Sequence, residues 1–355
     1  LGCKQILFNG PAKSDAELRL AAAHADRVWL HIDHAYELTR IRRLKLVGRR
    51  TLRVAVRIDP GAGIGGTWRK FGIPPKDAVR LIGRIIATNG LAWEGLHGHL
   101  SWNTSPEPYR ELIRIFARVI RSLPLRERAR LTYVDLGGGI YPRGEGTRLP
   151  DTSFGRAVLA AESNAGRRLL RRREFFPRMA EIEEYASAIS DEVKRALTSI
   201  RGVRPDLIVR FEPGRWMVSG AVGILVTTVT QKRRDVVIAD GGIHLTHDYR
   251  MLEEYHAIVN LSRPGRTLRE RQCHVFGPMC DPNDRWGETC WGDPPSPGDR
   301  LWIANMGAYS SSSAMRFLYP LAPYVLITHD GQIQKLTDGE SFGRRYPREW
   351  FIKQA

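Results

Sequence analysis

Leu131-Thr132-Tyr133-Val134-Asp135-Leu136-Gly137-Gly138-Gly139 runs from an apolar strand straight into a turn of three glycines. Without a Cβ in the way, main-chain N–H groups at such a strand end can face an anion. Outward from this stretch, short apolar strands alternate with amphipathic helices. Strands are expected at Gln5–Phe8, Val28–Ile32, Leu52–Ile58, Ala92–His99, Leu131–Leu136 and Leu207–Phe211. Helices are expected between them, at Asp15–His24, Ala35–Arg43, Pro75–Asn89, Pro106–Leu123 and about Pro177–Ile200. Val54-Ala55-Val56 and Leu207-Ile208-Val209 read as apolar on both faces, like parallel strands under helices. The alternation predicts an α/β fold with a parallel sheet or barrel. A (β/α)8 TIM-type barrel has eight strands, so the first two units are expected upstream of Leu1, which is not an initiator Met.

From about Ala221 the texture changes. Ile224–Val229, Asp235–Ala239, Arg300–Ala304 and Tyr324–Thr328 are β-rich and separated by Gly/Pro turns. The expected organisation is a (β/α) barrel over 1–220 and an all-β C-terminal domain over 221–355. A basic insertion, Arg143–Arg178, follows the glycine turn as a lid or a passive surface excursion.

The 355 residues carry a net charge of +17, most of it from arginines spread through the chain. That spread, without a recognisable DNA or RNA module, reads as a solvated basic surface. Only the run Arg167-Arg168-Leu169-Leu170-Arg171-Arg172-Arg173 keeps nucleic acid open, and it could equally neutralise an anionic substrate or partner. No apolar run approaches the about 20 residues that span a bilayer, and the N-terminus has no signal-peptide pattern. Cys3, Cys273, Cys280 and Cys290 lack CxxC spacing, which argues against structural zinc and fits a reducing cytoplasm.

Three further clusters carry polar chemistry. His97 and His99 form an HxH at a strand end, on one face by alternation, with no third metal ligand in sight. Glu212 ends a strand before Pro213-Gly214-Arg215, where barrels often hold phosphate; a surface ion pair is the plainer alternative. Cys280 and Asp281 share a loop with Asp284 and turn residues, unlike the other cysteines.

Gly98-His99-Leu100-Ser101, Asp135-Leu136-Gly137-Gly138-Gly139, Glu212-Pro213-Gly214-Arg215, Gly277-Pro278-Met279-Cys280-Asp281 and Gly307-Ala308-Tyr309, in this order, resemble the amino acid decarboxylases dependent on pyridoxal 5'-phosphate (PLP) with an alanine-racemase-like barrel. That family includes diaminopimelate, ornithine and arginine decarboxylases, and the resemblance runs from about Ile6 to about Tyr324. It implies that Gly138, Gly139, Gly214, Arg215 and Tyr309 hold the cofactor phosphate. His99 would stack on the ring, and Glu212 would keep the pyridine nitrogen protonated. Arg57 would border the cofactor. Ser101 stands where the family has Gly then Ser, so it would take over the phosphate bond, or other groups would; Trp102 beside it would narrow the substrate pocket. Cys280 would reach the active site of the other subunit of a homodimer and help protonate Cα once CO2 has left. The resemblance puts the Schiff-base lysine ahead of Gln5, hence upstream of Leu1; neither Lys13 nor Lys70 fits.

Diaminopimelate decarboxylases carry Glu after the Cys and an Arg where Asp248 stands. Asp281 and Asp248 would repel a distal carboxylate and favour an amine or guanidinium. The implied activity is decarboxylation of an amino acid with a cationic end, with an intermediate of siderophore or antibiotic synthesis left open as the substrate. The alternatives are diaminopimelate decarboxylation, racemisation on the same fold, and a non-catalytic regulator that binds a decarboxylase.

Overall fold

Six parallel strands stand side by side in chain order: β1 (Ile6–Phe8), β2 (Val28–Ile32), β3 (Leu52–Arg57), β4 (Leu91–His97), β5 (Tyr133–Asp135) and β7 (Ile208–Arg210). They come from a computed structural model that describes residues 2–46, 50–61, 70–101, 103–142, 146–147, 179–246, 254–315, 317–341 and 343. Trp102, Asp248 and most of the Arg143–Arg178 insertion lie outside the described residues.

Helices α1 (Asp15–Ala23), α2 (Ala35–Arg43), α3 (Pro75–Ile86) and α4 (Glu107–Arg121) connect the first five strands, with the short α5 (Leu125–Arg128) before β5. α6 (Ile182–Val193) precedes β7. Local chemistry sets their starts. Ser14 Oγ accepts the Glu17 N–H and the Glu17 carboxylate accepts the Ser14 N–H, a reciprocal cap on α1. Pro75 begins α3, where a missing N–H costs nothing.

The two faces of this sheet differ. Leu30, Ile32, Val54, Val56, Trp93, Leu96, Val134 and Leu136 join the helices in one buried core. Trp29, Ala55 and Tyr133 cluster apart from it, and the same face carries His31, Arg53, Arg57, His97 and Asp135. The strands are therefore apolar on one face and largely polar on the other, not apolar on both as Val54-Ala55-Val56 suggested. Alternation along Val28-Trp29-Leu30-His31-Ile32 already carried that pattern.

Among the described residues the parallel strands form one open sheet, and a complete eight-stranded barrel is not shown. The chain divides into two compact units, Leu1–Tyr141 with Arg178–Gly214, and Pro142–Pro177 with Arg215–Ala355.

The second unit includes all of α7 (Gly214–Val218) but its first residue. It is built on a closed six-stranded barrel: β8 (Ile224–Arg233), β9 (Val236–Ala239), β11 (Ile258–Asn260), β12 (Glu270–Phe276), β13 (Arg285–Trp291) and β14 (Arg300–Ile303), ordered β11-β13-β12-β9-β8-β14. Closure leaves no open sheet edge. Val226, Val237, Ile258, Cys273, Val275, Trp286, Cys290, Leu301 and Ile303 fill it. β6 (Gly146–Thr147) pairs with β10 (Glu254–Tyr255), and β15 (Tyr324–Ile327) with β16 (Ile333–Thr337).

Between α1 and α2, Lys13 Nζ donates to Glu37 Oε1 at 2.9 Å and to the Gly10 carbonyl at 2.7 Å, with both side chains almost fully buried. Removing one partner of such a pair strands the other charge. Glu37→Gln is expected to cost about 3 kcal/mol in urea unfolding, and Lys13→Met/Glu37→Leu to recover most of that. A single variant as stable as wild type would mean that water reaches the lysine.

Candidate active site

Strand register assembles the site. Arg57 on β3 stands beside His97 on β4, His97 beside Asp135 on β5, and Asp135 beside Arg210 on β7. Four polar residues thus cross the C-terminal strand ends in one row, where parallel sheets place ligands. Gly95 permits the row: a Cβ there would meet the Tyr133 ring at 2.5 Å.

Glu212, just past β7, gathers the surrounding groups. Its carboxylate accepts from Asn9 Nδ2 at 2.6 Å and lies 3.6 Å from both His97 Nε2 and His99 Nδ1. Burial alone would raise this carboxyl, but hydrogen bonding to His99 and the nearby charge of Arg57 outweigh it and hold it below the ordinary glutamate range. Asp135 is pushed the other way, up to about 7, by burial and then by the Glu212 charge. Glu212 therefore takes the negative charge first, and Asp135 holds its proton until the pH approaches about 7. Burial drives His31 down to about 3, and it drives His97 well below its usual value, with His31 adding to the effect. Both imidazoles are neutral; their ring centroids lie 4.8 Å apart, and His31 Nε2 is 3.0 Å from the Tyr133 hydroxyl.

The glycine turn packs against the end of β4. Gly138 N–H donates to His99 Nδ1 at 3.2 Å, and Asp135 Oδ1 accepts the Gly137 N–H at 2.9 Å. A Cβ on Gly138 would meet the Glu212 carbonyl at 2.4 Å, and one on Gly139 the Leu100 carbonyl at 2.1 Å, with Ser101 close behind. Beside Gly214 the space is open, with no atom within 4 Å of where a Cβ would be.

Arg57 is buried, 3.4 Å from Asp33 and 4.3 Å from the Phe71 ring centroid. In the second unit, the Arg215 guanidinium lies 5.3 Å from the Tyr309 ring centroid, and Tyr309 adopts a left-handed φ of 58°. Cys280 is exposed in the β12–β13 loop. Asp281 in the same loop accepts the Asn283 N–H at 2.8 Å. Cys273 and Cys290 are buried in the barrel, their thiols pushed up to about 11 and about 12 by burial. Cys3, in contrast, is exposed.

Asn9, His31, Asp33 and Asp135 escaped the sequence reading. The HxH pair does acquire third ligands in space: His31, His97 and Asp135 form one group with ligand atoms within 4.8 Å of one another, and His97, His99 and Glu212 another. Either group has the donor chemistry for a metal. The cofactor test concerns Glu212: an ionised, part-exposed carboxylate beside a part-exposed imidazole and the open space at Gly214 suits a protonated pyridine carrying a phosphate.

A family profile described as "Pyridoxal-dependent decarboxylase, C-terminal sheet domain" matches residues 32–307. The chain belongs to this family of pyridoxal-dependent amino acid decarboxylases. Over 349 residues it is 25% identical to the diaminopimelate decarboxylase of Methanothermobacter thermautotrophicus, covering 95% of this chain and 73% of that protein. It is 25% identical to the lysine/ornithine decarboxylase of Selenomonas ruminantium, covering 91% of this chain and 72% of the relative. The crystal structure of Helicobacter pylori diaminopimelate decarboxylase complexed with L-lysine shares the fold, with a TM-score of 0.76 at 22% identity over 98% of this chain and 79% of that one. Among the described residues no helix is long and apolar enough to cross a membrane.

The raised Asp135 gives a signed pH effect. Folding raises its pKa, so its contribution is fully present below the ordinary aspartate value of about 4 and is lost as pH rises through about 7. Asp135→Asn, which can still accept the Gly137 N–H, should exceed wild-type stability at pH 8 by on the order of 2 kcal/mol. The difference should vanish near pH 4. Parallel stability curves from pH 4 to 8 would show Asp135 ionised in the folded protein.

Proposed function

We propose that the protein decarboxylates an amino acid whose distal end is an amine or guanidinium. Glu212 carries the reading: a carboxylate kept ionised by His99 and Arg57, next to the part-exposed imidazole of His99. When bound, pyridoxal phosphate supplies the electron sink for breaking the Cα–CO2 bond. Glu212 accepts the pyridinium N–H, and a site carboxylate that stays charged keeps that proton on the ring nitrogen. His99 presents its ring to the cofactor, oriented by the Gly138 N–H on Nδ1. Gly138, Gly139, Ser101, Gly214, Arg215 and Tyr309 are assigned to the phosphate, with Tyr309 backing the Arg215 guanidinium. Arg57 borders the cofactor as a charge fixed by Asp33.

Cys280 is the proposed proton source at Cα, supplied by the partner subunit of a homodimer, and its exposure in a loop supports that role. Asp281 and Asp248 are assigned to selecting the substrate's distal charge, and Trp102 to narrowing the substrate pocket. The six parallel strands are read as part of a (β/α)8 barrel. The relatives' names differ over the substrate: several are diaminopimelate decarboxylases and one is a lysine/ornithine decarboxylase. The charge at Asp281 favours the latter.

The protein should be yellow with bound cofactor. Cys280→Ala should retain the colour and lose most decarboxylation, while Cys3→Ala stays near wild type; equal losses would assign the effect to stability. Asp281→Asn should lower kcat/KM for the preferred cationic substrate by about 10²-fold, the size of a stranded-charge penalty, with little change in cofactor affinity. Steady-state assays on lysine, ornithine, arginine and meso-diaminopimelate decide the class. Efficient turnover of meso-diaminopimelate would overturn the charge argument.

A further inference from the structure

Asp284 closes the loop that carries Cys280, and it is among the most buried charged residues of the second unit, 1% exposed. Its side chain serves two separate stretches of main chain. Oδ2 accepts the Met279 N–H at 2.7 Å, one residue before Cys280. Oδ1 accepts the Ile243 N–H at 2.8 Å, in the turn that follows β9. Its own main chain completes the loop: Gly277 N–H donates to the Asp284 carbonyl at 2.9 Å, and Asp284 N–H to the Asp281 carbonyl at 3.0 Å.

The surroundings are shaped to this carboxylate. A Cβ on Gly242 would meet Oδ1 at 2.2 Å, and a Cβ on Gly277 would meet it at 2.3 Å. Neither glycine needs a left-handed backbone; each lacks a side chain where the carboxylate sits. Trp286 Nε1 donates to the Gly241 carbonyl at 2.7 Å, fixing the same turn to β13 from the other side. Met279 anchors the loop in the barrel core, while Cys280 beside it is exposed. The loop is therefore held at one buried point directly next to its exposed thiol.

We propose that Asp284 is a positioning residue for decarboxylation: by bridging the Met279 and Ile243 N–H groups, it sets where the Cys280 thiol stands relative to the Gly241–Ile243 turn. The inference rests on the reading of Cys280 as the proton source. A carboxylate is the one side chain of this size that offers two acceptor oxygens and no donor. Asparagine can satisfy one N–H, but its NH2 then faces the other, leaving a buried donor unpaired. Glutamate adds a methylene to a space already bounded by two glycines. Neither substitution replaces aspartate.

Holoenzyme carrying Asp284→Asn is compared with wild type and with Cys280→Ala. Iodoacetamide alkylation of Cys280 is followed by mass spectrometry, with exposed Cys3 of the same molecule as internal reference. The Cys280/Cys3 rate ratio should change at least about threefold, kcat should fall about tenfold with KM within about twofold, and more turnovers should end with the proton delivered to the wrong carbon. Bound cofactor should remain within about twofold of wild type. An unchanged alkylation ratio, whatever happens to kcat, overturns the positioning role. A Cys280→Ala enzyme with normal turnover and product sinks the proton-source reading, whereas the ratio still reports on Asp284. Should Asp284→Asn not fold, hydrogen exchange on the wild-type holoenzyme decides: the Met279 and Ile243 amides should be among the slowest of their segments. Fast exchange at both overturns the bridge.

Discussion

The Glu212 carboxylate is the point on which the first unit's polar face depends. Residues from three strand ends converge there: Asn9 after β1, His97 and His99 at the end of β4, and Asp135 at the end of β5. A buried cluster of this kind settles on the protonation pattern with the least uncompensated charge. Here that means neutral His31 and His97 imidazoles, a proton held on Asp135 up to about pH 7 and a negative charge on Glu212. The helices cover the opposite, apolar face, so the polar face is free to carry chemistry while the core beneath it stays dry.

Much of this architecture was legible in the residues, because strand and helix periods are local. Val28–Ile32 and Ala35–Arg43 appear with the expected bounds, and the other five parallel strands shift by no more than a few residues. Two strands of the closed barrel were harder. Glu270–Phe276 and Arg285–Trp291 are rich in charged and polar residues, and only Cys273, Val275, Trp286 and Cys290 mark their inner face. Barrel closure supplies the pairing partners that make such strands stable, and closure is not written in any one segment.

The candidate site divides along the same line. Glu212, His99, Arg215, Tyr309 and Cys280 stand in short motifs, so their residue types and spacing announce them. His31 does not, and Asp135 heads a motif whose signal is its glycines. Asp135 precedes the three glycines and reads as a turn residue, and His31 sits in an apolar strand as if it were core. Their significance comes from register, which sets His97 beside Asp135 and brings the His31 ring within 4.8 Å of His97. Register depends on several strands at once.

The three consecutive glycines have an effect on heritable variation. At 138 and 139 a side chain would not project into solvent; it would wedge against the Glu212 and Leu100 carbonyls. At 137 the left-handed φ of 64° adds backbone strain to a clash with the Gly98 carbonyl at 2.6 Å. One altered codon at 138 would press on two strand ends together, the one bearing His99 and the one leading to Glu212, while one at 137 or 139 would press on the first. Second-site repair of a change at 138 would then have to act on both, which leaves that position few routes by which to drift.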